Sequence, residues 1–160
     1  QILVSLQPVN GLSPLLVGAM KKAPDNWFWW IRMHPDMRSK RMKVHRLLQS
    51  LHRDNWSLFE ATDLPLYSLL KVMDVHITEY SAVVLEAEMF GISSIITHPL
   101  GRDFFQRQIQ RRMVFEAYHL EDLLSKIEET SRRRTPVMEE EKSHADELLA
   151  GLLAGERYMN

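Results

Sequence analysis

The sequence has no cysteine, so disulfide bridges and thiolate metal sites are excluded. It has no apolar run near the roughly 20 residues that a membrane-spanning helix needs, and no signal-peptide pattern. The formal net charge is only −1, which gives no general attraction to nucleic acid or to an anionic membrane. The spacing of His, Asp and Glu fits no zinc motif, and no P-loop or Ser-His-Asp order is present. We therefore predict a folded protein compatible with the cytoplasm, with no metal.

The composition is that of a globular domain. Of 160 residues, 45% are hydrophobic and 26% are charged, which is enough apolar material for one sizeable core. The chain starts at Gln1 in a strand-like run, "ILVSL", and we expect it to be half of a larger protein. We predict one domain over residues 1–135, with residues 136–160 as its C-terminal helical extension.

Short β-branched or aromatic runs alternate with segments of helical spacing. We predict strands at residues 2–6, 27–33, 56–60, 75–78, 92–97 and 113–117. We predict helices at residues 13–22, 39–52, 65–73, 81–90, 101–112, 119–134 and 139–153. This alternation indicates βαβ units, and hence an α/β fold whose open parallel sheet is covered by helices on both faces.

In such a sheet, ligands bind beyond the carboxyl ends of the strands, where the amides of helix N-termini are free. Polar clusters follow five of the predicted strands, at residues 7–11, 34–35, 60–65, 78–81 and 98–102. The candidate pocket residues from these clusters are Gln7, Thr62, Thr78, Glu79, Tyr80 and His98. The role of His98 stays open.

The segment after the fourth strand, "TEYSAVVLEAEMFG", is the most specific. Ser81 is placed as the N-cap of its helix, which would leave the amides of Ala82 and Val83 free to hold a phosphate. Glu86 lies about 6 Å further along the same face, where a carboxylate could accept hydrogen bonds from the hydroxyls of a ribose. The alternative is a capped helix that binds no ligand, in which Glu86, like Glu79 and Glu88, is a surface residue without a role in binding.

Arg102 is a further phosphate candidate. It comes at the predicted start of the next helix, where a cation opposes the helix dipole and costs stability unless an anion is near.

The stretch "TEYSAVVLEAEMFGISSII" resembles, without a gap, the donor-binding segment of bacterial UDP-N-acetylglucosamine 2-epimerases. It is also similar to the "ITDYSS" segment of CDP-glycerol glycerophosphotransferases and related capsule-polysaccharide transferases. "RMHP" resembles the "RxHP" of the transferases, and "ILVSLQ" and "LPLYSLLKVMDVHIT" resemble further segments in order, so that the likeness covers about residues 1–105. These families share the two-domain architecture called GT-B.

The resemblance implies specific roles. Ser81 and Ala82 would contact the donor diphosphate, Glu86 the ribose, and segment 61–64 the base. His34 would act as the catalytic histidine, beside the donor phosphate. The resemblance implies a UDP-linked or CDP/CMP-linked donor as substrate, no other cofactor, and a glycosyltransferase of polysaccharide or cell-envelope synthesis. A missing N-terminal domain would carry the acceptor site, so this chain alone would bind the donor without turnover.

Departures from these families keep other readings open. The epimerases carry a His-Arg pair where this chain has Gln7–Pro8, and Ser-Gly-Gly where it has Tyr80, Ser81 and Ala82. The glycerophosphate transferases usually have aspartate in place of Glu86. The alternatives are an epimerase-like enzyme and a non-catalytic interaction module. Whether the full-length protein is peripheral to a membrane is also open.

Overall fold

Six parallel strands form an open sheet in a computed structural model that describes residues 1–132. The strands are β1 Ile2–Ser5, β2 Trp29–Arg32, β3 Trp56–Ser57, β4 Val75–Thr78, β5 Ser94–Ile96 and β6 Val114–Glu116. Their order in the sheet is β3-β2-β1-β4-β5-β6, and every neighbouring pair is parallel. The predicted α/β fold with a Rossmann-like parallel sheet is confirmed.

Eight α-helices connect or follow the strands within the described residues. They are α1 Pro14–Lys22, α2 Arg41–Gln49, α3 Phe59–Asp63, α4 Leu66–Leu70, α5 Val83–Met89, α6 Pro99–Phe104, α7 Gln106–Gln110 and α8 Leu120–Ser131. A 3₁₀ helix, Pro35–Lys40, leads from β2 into α2. No helix of this part of the chain is both long and apolar enough to cross a bilayer.

Helices cover both faces of the sheet because successive strand residues point to opposite faces. On one face, alternate residues of the central strands pack with α1, α2 and α8 in a cluster that includes Val4, Ile31 and Ile77. On the other face, Leu3 and Trp30 pack with α3, α4 and α5. The sheet is therefore buried on both sides, as the nearly continuous apolar strands predict.

Two predicted helix boundaries follow from local chemistry and are confirmed. The Ser13 side chain accepts a hydrogen bond from the amide of Leu16, and Pro14 opens α1. Gly91 follows the last turn of α5 with φ +68°, a left-handed conformation that glycine adopts without strain.

Two other predicted elements were wrong. Strand β3 ends at Ser57, whose hydroxyl donates to the carboxylate of Glu60, and the chain turns into α3 where we predicted more strand and a loop. This hydrogen bond joins the end of β3 to the first turn of α3, and the helix begins there despite the β-propensity of the aromatic residues. The helix predicted at residues 101–112 is two helices, α6 and α7, because the backbone leaves the helical conformation at the buried residue Phe105. The helix predicted at residues 139–153 lies outside the described residues.

Candidate functional site

The chain reverses its winding direction between β1 and β4, the two central strands. The loops that follow these strands are tied together at this point. The Thr78 hydroxyl donates to the carbonyl of Ser5 (2.8 Å), and Asn10 Nδ2 donates to Glu79 Oε2 (2.9 Å). Ligands of open parallel sheets bind at this switch point. Glu79 is only 7% exposed there, so its carboxylate is buried between the two loops.

Helix α5 starts one residue later than we predicted. The residue before it, Ala82, already has helical backbone angles (φ −59°, ψ −17°) and no capping side chain, so the side chain that caps this helix start is that of Ser81. The Ser81 hydroxyl accepts from the amide of Val83 (3.3 Å), and the Ser81 amide donates to Thr78 Oγ1 (3.2 Å). The amide of Ala82 makes no hydrogen bond within residues 1–132. One backbone amide and one hydroxyl thus remain at the helix start to meet an anion.

Glu86 lies on the side of α5 that faces α3 and α4. It is three residues after Val83 and four before Phe90, and both of these pack on the cluster that contains Ala61. Its Oε2 atom is covered and has no hydrogen-bond partner in the described part of the chain. A covered carboxylate oxygen without a donor is unusual in a folded protein and costs free energy. A ligand hydroxyl would supply the missing donor.

The other two glutamates of this segment have structural partners. Glu79 is buried and accepts a hydrogen bond from Asn10. Glu88 accepts a hydrogen bond from Gln108 in α7 and forms an ion pair with Arg111, the residue that follows α7. The alternative in which all three glutamates are idle surface residues therefore does not describe this structure. Of the three, only Glu86 has a covered carboxylate oxygen without a hydrogen-bond partner in the described part of the chain.

His34 and His98 have the same local structure. Each precedes a proline and caps the helix that follows, with Nδ1 accepting the amide of the second residue after it (3.2 Å in both cases). Because Nδ1 accepts a backbone N–H, the ring proton of the neutral imidazole is on Nε2. Each histidine therefore offers an Nε2–H donor. His98 is held further by an edge-to-face contact with Tyr80, at 5.6 Å between ring centroids.

Segment 61–64, predicted to lie near the base, is held by Arg32. The Arg32 Nη1 donates to the carbonyls of Ala61 and Leu64, both at 2.8 Å, and the amide of Met33 donates to Thr62 Oγ1. Burial lowers the pKa of Arg32, and the nearby Asp63 raises it. The first residue of "RMHP" thus fixes the C-terminal end of α3 and the loop that follows it, and Thr62 ties the same helix end to the chain after β2.

Arg102 is engaged elsewhere. Its Nε donates to Glu116 at 2.6 Å, and Tyr118 donates to the same carboxylate oxygen. The hydrogen bond from Arg102 holds the pKa of Glu116 below its usual range, and burial together with Glu116 raises the pKa of Tyr118 to about 12. A phosphate would have to compete with Glu116 for this guanidinium.

Gln7 closes a short turn after β1. Its carbonyl accepts from the amide of Gly11, whose φ is +60°.

Within residues 1–132, no group of three or more His, Asp or Glu side chains is arranged to hold a metal ion.

Three residues that organise this region were not singled out from the sequence, although Asn10 and Gly101 lie in its polar clusters at 7–11 and 98–102 and Arg32 opens "RMHP". Arg32 is the last residue of a buried strand, and a guanidinium at such a position needs hydrogen-bond acceptors nearby. An arginine directly after the apolar run "WWI" could therefore have been predicted to hold a neighbouring segment. Gly101 lies so close to the loop after β4 that an added Cβ would be 2.5 Å from the carbonyl oxygen of Glu79. Asn10 contacts Glu79 across 69 residues, and no local pattern predicts that contact.

The sequence matches no protein-family model and no curated protein. The fold is similar to a crystal structure described as the glycotransferase of kitacinnamycin, with a TM-score of 0.54 at 12% identity. The match covers 91% of this chain and 38% of that one. At this identity the likeness shows a shared fold, and the chain spans well under half the length of that protein.

Proposed function

We propose that this chain is the nucleotide-sugar-binding half of a GT-B glycosyltransferase. The observation that carries the proposal is Glu86, whose covered and unpaired Oε2 lies one turn into the helix that starts at the switch point of the sheet. The likeness in fold to a glycosyltransferase and the match to only part of its length support the proposal. The resemblance of "TEYSAVVLEAEMFGISSII" to donor-binding segments supports it independently.

In the proposed complex, the donor diphosphate lies at the start of α5, against the Ala82 amide and the Ser81 hydroxyl. The ribose hydroxyls donate to Glu86, and the base lies against the loop that Arg32 holds in place. His34 donates from Nε2 to the leaving phosphate. These groups stabilise charge that builds up on the departing nucleotide, which is electrostatic catalysis without a covalent intermediate.

The acceptor and its general base would come from a second domain of the full-length protein. The donor is UDP-linked or CDP/CMP-linked in this proposal, and the transfer belongs to polysaccharide or cell-envelope synthesis in the cytoplasm.

Calorimetric titration of this chain with UDP, CDP and CMP tests the proposal. We expect at least one of them to bind in the micromolar to millimolar range. Absence of binding by all three at millimolar concentration would instead favour a non-catalytic interaction module.

A second assay separates transferase from epimerase. The full-length protein is incubated with UDP-N-acetylglucosamine and no acceptor. An epimerase would form the 2-epimer without an acceptor, whereas a transferase would not. We therefore expect no 2-epimer. Accumulation of the epimer would contradict the transferase assignment.

A further inference from the structure

A second cleft opens beside the end of β2, between the 3₁₀ helix, the start of α2 and the end of α3. Its volume is about 410 Å³, within the range of small-molecule sites. We call it the arginine cleft. Its charged lining residues are Arg32, Arg38, Arg41 and Asp63.

The arginine cleft has more positive than negative charge. Asp63, its one lining carboxylate, is in an ion pair with Arg41. Arg32 is half-buried and donates to two uncharged carbonyls, which accept its hydrogen bonds without neutralising its charge. The Arg38 side chain makes no hydrogen bond or ion pair within residues 1–132. Two guanidinium charges therefore face the cleft without a matching carboxylate.

Donor groups in the cleft are unused as well. The Nε of Arg41 is covered and has no hydrogen-bond partner in the described residues, although Nη2 is engaged and the guanidinium stacks over Phe59 at 4.6 Å. The exposed Arg38 side chain offers all five of its N–H donors. Guanidinium groups with free donors are the arrangement that binds phosphate oxygens.

The arginine cleft is separate from the start of α5. Strand β1 lies between β2 and β4, so the ends of β2 and β4 are about 10 Å apart. Neither Ser81 nor Glu86 lines the cleft, whereas His34 and Thr62 do, so the cleft borders the proposed donor site on the side of β2. Because of the distance between the two strand ends, a phosphate bound by Arg38 is a different group from the phosphate bound at Ala82.

We propose that the arginine cleft binds a second oxyanion, the phosphate of a mono- or diester ligand. Its assignment as the acceptor's phosphate rests on the proposed function, whereas the anion site itself does not. The phosphate belongs either to a soluble molecule, such as a sugar or polyol phosphate, or to a lipid headgroup.

The test titrates this chain with glycerol 3-phosphate by calorimetry, with and without saturating UDP. Mixed phosphatidylcholine–phosphatidylglycerol vesicles, compared with pure phosphatidylcholine vesicles, probe the lipid source by co-sedimentation. The test variant is Arg38→Gln, which removes an exposed side chain with no partner and leaves the fold intact. The matched control is Arg107→Gln, an exposed arginine on α7.

We expect Arg38→Gln to weaken binding of the phosphate probe about tenfold, since hydrogen bonds to charged groups are lost. Arg107→Gln should bind like the wild type, and UDP affinity should be unchanged in both variants. Binding of glycerol 3-phosphate supports a soluble ligand, and binding only of the anionic vesicles supports a lipid headgroup.

Two results overturn the anion site: no binding of either probe at millimolar phosphate, or equal binding by wild type and Arg38→Gln. Neither result depends on UDP. Loss of UDP binding with phosphate binding intact would instead overturn the donor site alone.

Discussion

At the residue scale, His76 shows how polar side chains are accommodated in the sheet. Its Nδ1 lies 2.9 Å from Ser94 Oγ and its Nε2 lies 3.0 Å from Ser5 Oγ, so the ring bridges three adjacent strands without solvent contact. Burial lowers the pKa of His76 from 6.5 to about 3. The folded protein therefore keeps this ring neutral.

His76 makes stability depend on pH. Below pH 6.5 the unfolded chain takes up a proton on His76 and the folded chain does not, so the free energy of unfolding falls as pH falls from 6.5 toward 3. We expect His76 to contribute a loss of about 3 kcal/mol between pH 7 and pH 4. Urea unfolding across this pH range measures it.

The control for this prediction is His76→Gln, which can hydrogen-bond to both serines and does not titrate. Its stability should fall less steeply with acid than that of the wild type. Parallel pH profiles for the two proteins would show that His76 does not carry the effect.

Arg32 is the second residue-scale case. Arg32→Lys keeps the charge but replaces a planar group that reaches two carbonyls with a single ammonium. We expect a loss of about 1–2 kcal/mol in unfolding free energy and weaker nucleotide binding, because the loop after α3 loosens. Chemical denaturation and calorimetry measure the two effects, and wild-type values for both would disprove the role of Arg32 in holding this loop.

At the element scale, α6 is pressed against the loop after β4 at Gly101. A Cβ there would be 2.5 Å from the Glu79 carbonyl oxygen and 3.1 Å from Ile96 Cβ. We expect Gly101→Ala to cost about 1–3 kcal/mol, since backbone must move to relieve the clash. It should also weaken nucleotide binding by displacing the Glu79–Ser81 turn.

Gly18→Ala is the matched control. It lies in α1, where a Cβ would make ordinary contacts of 3.5 Å or more with Leu120, so its stability should be unchanged or raised by up to about 1 kcal/mol. Thermal unfolding of the two variants side by side tests this difference. Equal stability of both would show that α6 does not sit tightly on the loop.

Elements with a strong local signal could be predicted from the sequence. Strand β4 was predicted with its true bounds because an apolar run lies between Asp74 and a polar cluster. The start of α1 and the end of α5 followed from Ser13–Pro14 and Gly91. Residues 56–63 were mispredicted because Trp56 and Phe59 have high β-propensity, while α3 begins at Phe59 without a capping side chain that would mark its start.

At the scale of the whole molecule, sequence alternation predicted the parallel sheet, and the sheet predicted which edge carries the candidate site. The contacts that organise this edge of the sheet could not be predicted from the sequence. The pairs Asn10–Glu79 and Arg32–Leu64 join residues 69 and 32 positions apart, and they exist only because the strand order places β1 between β2 and β4. Local patterns do not contain this information.

A paired titration shows whether the start of α5 holds a nucleotide through Glu86. The chain is titrated with whichever of UDP, CDP or CMP binds best, as wild type, Glu86→Ala and Glu88→Ala. Glu88 is on the same helix, but its carboxylate is tied to Gln108 and Arg111. We predict that Glu86→Ala weakens binding by about 1–3 kcal/mol and that Glu88→Ala does not weaken it. Equal affinity in the wild type and Glu86→Ala would show that Glu86 does not bind the nucleotide.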